Sequence, residues 1–272
     1  MSKRKIEFAV KKTYFRQLTC LRNLKILIIM RFHLLIVLLI ASFHLNAQSP
    51  FKFRYAVDVP VISVGLGTAI GGFVHEKKRD AITLSDLQLL DPMNISSFDR
   101  SVTTYWNPKA AKWSDAIMYT TMASPLLFLA GDRSRKDFWM ASAISAEVFL
   151  LNTGITFLTK ELVQRKRPYT YNPNVPLDKK LEKGSTQSFF SGHTSSVASM
   201  SYSFAMMHNY YYPDSKIKPL VWFVAAVLPM ATAILRVRAG KHFWTDVIVG
   251  YGVGATIGVG VPFLHKIKFR KS

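Results

Sequence analysis

The chain has 272 residues, 49% of them hydrophobic, one cysteine and a formal net charge of +20 at pH 7. Such a charge suggests a nucleic-acid partner, yet residues 1–47 alone hold nine basic residues against one acid, and the rest holds 27 against 15, or +12. Much of that remainder lies in short loops between apolar runs, which suits an anionic lipid surface and not a nucleic-acid groove, and the lone Cys20 excludes an internal disulfide.

In chain order, residues 1–29 are basic and mixed in character, without a fold signal. From Met30 the pattern changes to Arg31, the apolar LLIVLLIASF of 34–43, and then Asn46, Ala47 and Gln48. A short positive region, an apolar core and a small terminal residue read as an export leader spanning 1–47. Cleavage is expected near Ala47-Gln48, with Met30 as the true start. The apolar core is shorter than the ~20 residues of an ordinary span. An uncleaved signal anchor is the competing reading. Residues 48–272 are expected to form a single domain.

Five later runs, 116–131, 138–159, 194–213, 219–235 and 247–264, are nearly free of charge, and a sixth, 59–74, is short and glycine-rich. Their lengths sit at the low edge for spanning helices. No strand-like alternation competes, so the expected fold is all-α, a membrane-embedded bundle of about five to six core apolar helices. Glu147 is costly in lipid and is expected to face the bundle interior, bonded to a neighbouring helix. Gly250, Gly252, Gly254, Gly258 and Gly260 should let helices approach closely. The polar segment 75–112, with Asp91-Pro92 and Asn107-Pro108, reads as loops and short helices on the outer face. Trp106 and Trp113 flank the next run as interface anchors or core residues. His75, His208 and His265 have no partner spacing and read as surface or interface residues.

The chemistry is concentrated between Lys160 and Asp246, in three blocks: KELVQRKRP (160–168), FSGH (190–193) and LRVRAGKHFWTD (235–246). Lys160 and Arg167 are two helical turns apart, so both side chains can emerge on nearly one face. Pro168 disfavours helix at the preceding residue and places Arg167 at a helix end. Two cations aimed at one point suit a phosphoryl group, and the arginine fork contacts two oxygens at once. Ser191 is a preferred N-cap before a long uncharged run, and Gly192 allows close backbone approach. The free N–H groups of that helix start form an anion site, with His193 in its first turn. His242 and Asp246 are four apart; a carboxylate there can accept the Nδ1–H and leave Nε2 as a nucleophile. Arg236 adds a third cation.

Together, and in this order, the blocks resemble the type 2 phosphatidic acid phosphatase superfamily. Its pattern is Lys-x6-Arg-Pro, Pro-Ser-Gly-His and Ser-Arg-x5-His-x3-Asp. Lys160, Arg167, Pro168, Ser191, Gly192, His193, Arg236, His242 and Asp246 match it, while Phe190 stands where the family has Pro and Leu235 where it has Ser. The resemblance implies a covalent two-step hydrolysis with no metal and no cofactor. His242 becomes a phosphohistidine, oriented by Asp246. His193 protonates the leaving oxygen and then activates water. Lys160, Arg167, Arg236, Ser191 and the Gly192 N–H cradle the phosphoryl oxygens. Leu235 lacks a hydroxyl, which bears on rate and substrate preference more than on reaction type.

All three blocks must share one side of the membrane. The connections 132–137 and 208–218 and the basic tail then face the other, cytoplasmic side, and the site faces the periplasm of a bacterial inner membrane. A cleaved leader starts the mature chain outside, which agrees with five spans if 59–74 does not cross; with six, the leader and charge arguments conflict. The expected substrate is a lipid phosphate or diphosphate: an isoprenoid carrier, a glycerophospholipid or a lipid A phosphate. A soluble periplasmic acid phosphatase with the same site is the alternative, and a catalytically silent membrane binding protein the third reading. Tyr169, Tyr171, Lys179, Lys180 and Lys183 of the loop 169–190 border the site and either meet a headgroup or are solvated.

Overall fold

The structure, a computed structural model, describes residues 49–267; the leader assigned to 1–47 lies outside the described residues. Six long helices carry the fold: α1 (Tyr55–Lys78), α2 (Pro108–Met122), α3 (Phe138–Val163), α4 (Gly192–Tyr211), α5 (Lys218–Arg238) and α6 (Trp244–His265). Among the described residues there is no strand, only one isolated antiparallel bridge between Phe51 and Lys266. The all-α expectation stands.

Local sequence sets several boundaries. Asn107 caps α2 by accepting from Ala110 N at 3.1 Å, with Pro108 at the first helical position, where its missing N–H costs nothing. The expected run 116–131 is not one helix: α2 ends at Met122, and Ser124–Leu129 continues as a 3-10 helix with Pro125 in its first turn. The ring and absent N–H of that proline break the α-helical ladder. The segment 75–112 does fold as loops and short helices, at Leu84–Gln88, Pro92–Asn94, Ser97–Arg100 and Ser101–Thr104.

Four helices, α1, α3, α5 and α6, are long and apolar enough to cross a membrane. They place Ile70, Phe73, Leu220, Phe223, Ile248 and Phe263 on the surface. An apolar belt of this kind is at home in hydrocarbon. By contrast α4 lies inside, against α3, α5 and α6, with Ser195, Ser199 and Ser203 buried. A helix shielded by its neighbours has no need of an apolar circumference: Ser199 Oγ donates to Ser196 O and Ser195 Oγ to the Asn152 side chain, while Ser203 Oγ has no hydrogen-bond partner.

The run 59–74, which reads from the sequence as short and as non-spanning or re-entrant, is part of a longer helix. α1 is 24 residues long, about 36 Å at 1.5 Å per residue. It runs parallel to α3: Asp58 lies by Glu147, Gly65 against Leu150 and Leu151, and Gly72 against Phe157 and Leu158. Its start is tied to the tail through Arg54 and the Lys266 carbonyl (2.7 Å), and its end leads to Arg79, which pairs with Glu161 at 2.9 Å. Charged residues at both ends of the apolar window hid its full length, because each meets a partner distant in sequence. The described residues therefore traverse the bundle six times, and residues 50 and 267 meet at one end, where Ile267 N donates to Pro50 O at 2.9 Å.

α4 and α6 make the closest contact, and the glycines show why. A Cβ on Gly250 would sit 2.7 Å from Ser191 O, and one on Gly254 or Gly258 would run into the carbonyls of Ser195 or Ser199. Two stripes of period four, glycine on α6 and serine on α4, meet backbone to backbone. Gly252 and Gly260 face open space instead. Gly254→Val should thus destabilise the bundle by about 1–3 kcal/mol, since a carbonyl cannot rotate away. Gly252→Ala should stabilise by up to about 1 kcal/mol through helix propensity. Thermal unfolding in detergent reads both, and equal shifts would mean that the two glycines share one environment.

Candidate active site

One end of the bundle collects the C-terminus of α3, the N-terminus of α4, the end of α5 and the start of α6, and with them the candidate site. At the end of α3, Lys160 donates to Gln187 O at 2.6 Å. The chain leaves α3 through Gln164 in a left-handed conformation, φ 47°. Arg167 is then held by its Nε on Gly184 O at 2.8 Å. Ser191 caps α4, its hydroxyl 3.4 Å from Thr194 N, while its own N–H reaches Asp246 O at 3.0 Å. The Ser191 hydroxyl is thus engaged within the helix start. Gly192 lies against Lys160, where a Cβ would come 3.6 Å from its Cε. The first-turn amides of α4, which have no intrahelical acceptor, open beside that cation.

Gly240, at φ 69°, makes the turn from α5 to α6, pressed so closely on Tyr105 O that no side chain fits. That turn delivers His242, which is 1% exposed. Its Nδ1 lies 2.7 Å from Ser188 O and 3.8 Å from Asp246 Oδ2. The hydrogen bond expected from Asp246 is therefore made by a backbone carbonyl. A carbonyl only accepts, so Nδ1 carries the proton and the neutral ring presents its lone pair at Nε2. Burial first, then the charges of Lys160, Arg167 and Arg236, hold the imidazole well below the usual histidine range. It stays neutral at neutral pH.

Asp246 is fully buried and accepts from Arg165 at 2.6 Å, Ser188 Oγ at 2.5 Å and Phe243 N at 2.9 Å. The last of these caps α6 and fixes the backbone that carries His242. Arg165 also pairs with Asp99 at 2.9 Å and lies over the Phe243 ring. Asp99 in turn accepts from Thr245 N and Oγ1, at 3.1 and 2.6 Å. Arg165 stood inside the KELVQRKRP block, but spacing alone did not mark it as the link between two buried carboxylates.

On the other wall, His193 Nε2 is 2.8 Å from Asp115 Oδ1, and Arg236 lies 3.4 Å from the same oxygen and 3.2 Å from Ser114 Oγ. Arg236 is 5% exposed, and its Nε has no hydrogen-bond partner. Asp115 lies 78 positions before His193 at the edge of an apolar run, and no sequence signal pointed to it. Ser188 and Lys241 were missed as well. Lys241 stands over Tyr169 (4.7 Å) and Trp106 (5.5 Å), and burial, then the charges of Arg167 and Arg236, push its pKa down to about 8.

The bordering loop is more structural than expected. Tyr169 is buried and bonded to Ser185 Oγ at 2.8 Å, and Tyr171 packs on Phe243. Lys183 donates to Glu76 O, and Lys179 pairs with Glu182.

The structure thus brings Lys160, Arg167, Gly192, His193, Arg236, His242 and Asp246 to one end of the bundle, with Ser191 as the cap behind them. A neutral buried imidazole thus lies within the field of several cations, on a helical scaffold with an apolar outer belt. Residues 138–270, which hold all three blocks, match the model of the PAP2 superfamily. The chain is also similar in structure to one described as the first transmembrane PAP2 type phosphatidylglycerolphosphate phosphatase from Bacillus subtilis. The TM-score is 0.41 at 19% identity, over 86% of this chain and 94% of that one. Comparison with curated proteins gives no match.

Proposed function

We propose that the protein hydrolyses a phosphate or diphosphate ester of a membrane lipid through a phosphohistidine, without metal in the reaction. The observation that carries this reading is His242, neutral with its lone pair at Nε2, under the charges of Lys160, Arg167 and Arg236. In the first step Nε2 bonds to phosphorus, the bond to the leaving oxygen breaks, and His193 gives that oxygen a proton. In the second His193 takes a proton from water, the new P–O bond forms, and the N–P electron pair returns to Nε2. The unpartnered Nε of Arg236 and the α4 amides hold the equatorial oxygens, where developing charge gives the largest catalytic gain. Asp115 stabilises the imidazolium of His193, and Asp115→Asn should lower kcat by about 10–100-fold, part of the 10²–10⁴ typical of a placed acid–base group. An unchanged kcat would remove Asp115 from the mechanism.

A lipid substrate is supported by a cavity of about 790 Å³ lined by Trp113, Ile117, Thr120, Leu127, Val224 and Leu228. It opens along the helix that carries Ser114 and Asp115, so an apolar chain can lie there while its phosphate reaches His193. The test is phosphate release in detergent with EDTA, on an isoprenyl diphosphate, phosphatidylglycerophosphate, phosphatidic acid, a lipid A phosphate and a soluble aryl phosphate. Preference for a lipid is expected. Equal turnover of the aryl ester would favour a non-specific acid phosphatase, and no release from any substrate a binding protein.

With Lys241 near 8, kcat/KM should fall as pH rises through about 8, because the free enzyme then loses a substrate-binding cation. Lys241→Arg keeps its charge and should move that fall to higher pH. A profile identical in the two proteins would exclude Lys241 from phosphate binding.

The basic tail end argues for a cytoplasmic tail and an outward site. Since residues 50 and 267 share one end, this reading places Pro50 on the inner side, whereas a leader cut near Ala47 would favour the opposite orientation. Asp178→Cys at the site end should react with an impermeant maleimide in intact cells, and Lys216→Cys at the tail end should not. The reverse pattern would place the site inside and favour leader cleavage.

A further inference from the structure

At the end of the bundle opposite the site, three titratable side chains from three helices converge. Asp58 of α1, Glu147 of α3 and His265 of α6 each offer one atom, and these atoms lie within 4.8 Å of one another. His265 Nε2 is 2.9 Å from Asp58 Oδ1 and 3.2 Å from Glu147 Oε2. The sequence suggested a surface or interface role for this histidine; it is 0% exposed. Glu147 does face the interior, 6% exposed, and its Oε2 has no hydrogen-bond partner.

The hydrogen-bond roles sharpen the question. His265 Nδ1 lies 2.8 Å from the Val261 carbonyl, which only accepts, so Nδ1 carries the ring's proton. Nε2 of the neutral ring is then a lone pair, facing two carboxylate oxygens that are lone pairs as well. Such a cluster inside a bundle calls for a proton on Nε2 or a cation between the three atoms. The second oxygen of Asp58 is engaged by Arg54 N, which fixes the carboxylate. The Arg54 guanidinium is turned away onto the Lys266 carbonyl, and the Lys266 ammonium sits over Tyr210. Neither is placed to neutralise the pair.

We propose that Asp58, Glu147 and His265 bind a divalent transition-metal cation of the zinc or manganese type, which ties α1, α3 and α6 together at the non-catalytic end. One imidazole and two carboxylates suit such an ion better than calcium or magnesium, which prefer all-oxygen shells. A +2 ion balances both carboxylates, whereas an imidazolium alone leaves one negative charge buried. A backbone carbonyl holding the remote nitrogen is the usual outer contact of a metal-bound histidine. The two separations from His265, 2.9 and 3.2 Å, need to open only slightly toward the ~3.4 Å between ligands of a tetrahedral site with bonds of about 2.1 Å, and all three atoms already lie within 4.8 Å. The side chain of Asp58 is 12% exposed and marks the way in.

The inference stands apart from the catalytic reading and is tested without activity. Tag-free protein in detergent is assayed for metal by mass spectrometry, stripped with EDTA, and reloaded with Zn²⁺ or Mn²⁺. About one ion per chain is expected, with a Tm that falls on stripping and recovers on reloading. X-ray absorption of the zinc-loaded wild type should show one imidazole and oxygen neighbours, without sulfur. Glu147→Gln and Asp58→Asn should each cut occupancy at least about tenfold, since a ligand is lost. Protein that takes up neither ion, or binding that survives both substitutions, overturns the site; the first result would leave His265 as an imidazolium between two carboxylates. If a variant fails to fold, uptake and the absorption spectrum of the wild type decide.

Discussion

Replacing His242 by alanine should lower kcat by about 10⁴-fold or more, the range seen when a covalent nucleophile is removed from an otherwise intact site. The remaining cations and the α4 amides still bind the phosphoryl group, so KM should change much less than kcat. The fold should survive. The ring contributes one hydrogen bond, to Ser188 O, and its burial among cations already disfavours its charged form. Phosphate release and thermal unfolding, measured on the same preparation, check both halves. Activity within tenfold of wild type would place the nucleophile elsewhere. Acid-stable rather than acid-labile phosphoprotein after rapid quenching would exclude a phosphohistidine.

The largest stability effect is expected at Arg165. Its guanidinium bridges Asp246 and Asp99, whose side chains are 0% and 1% exposed, while it is itself 26% exposed. Arg165→Ala strands two buried carboxylates. Breaking a buried pair typically costs about 3–5 kcal/mol, and the partial exposure of the arginine places this case near about 3. Arg165→Lys should recover only part of it, because an ammonium cannot fork between two carboxylates. Arg165→Ala combined with Asp99→Asn should be more stable than Arg165→Ala alone. If the two changes simply add, the arginine and Asp99 are not coupled. Activity should fall with stability, since Asp246 also caps the helix that presents His242.

The sequence by itself determined the helical class, the membrane character and the group of residues at the site. Apolar runs of helical length and short fixed spacings are local properties: Lys160 and Arg167 share a helix face, and Ser191 caps the helix that begins beside it, whatever the rest of the chain does. Glu147 was legible as inward-facing because a lone carboxylate in an apolar run has few other choices. Tertiary structure decided the partners. Ser188, and not Asp246, fixes the His242 tautomer; Asp115 meets His193 from 78 positions away; Arg165 joins carboxylates 66 and 81 positions distant. Only packing revealed α1 as a full traversal, because the charged residues at its ends, Asp58 and Arg79, meet His265 and Glu161, which are distant in sequence. Spacing along a chain fixes which side chains share a face, whereas the mate of each buried donor or charge depends on which faces the folded bundle brings together.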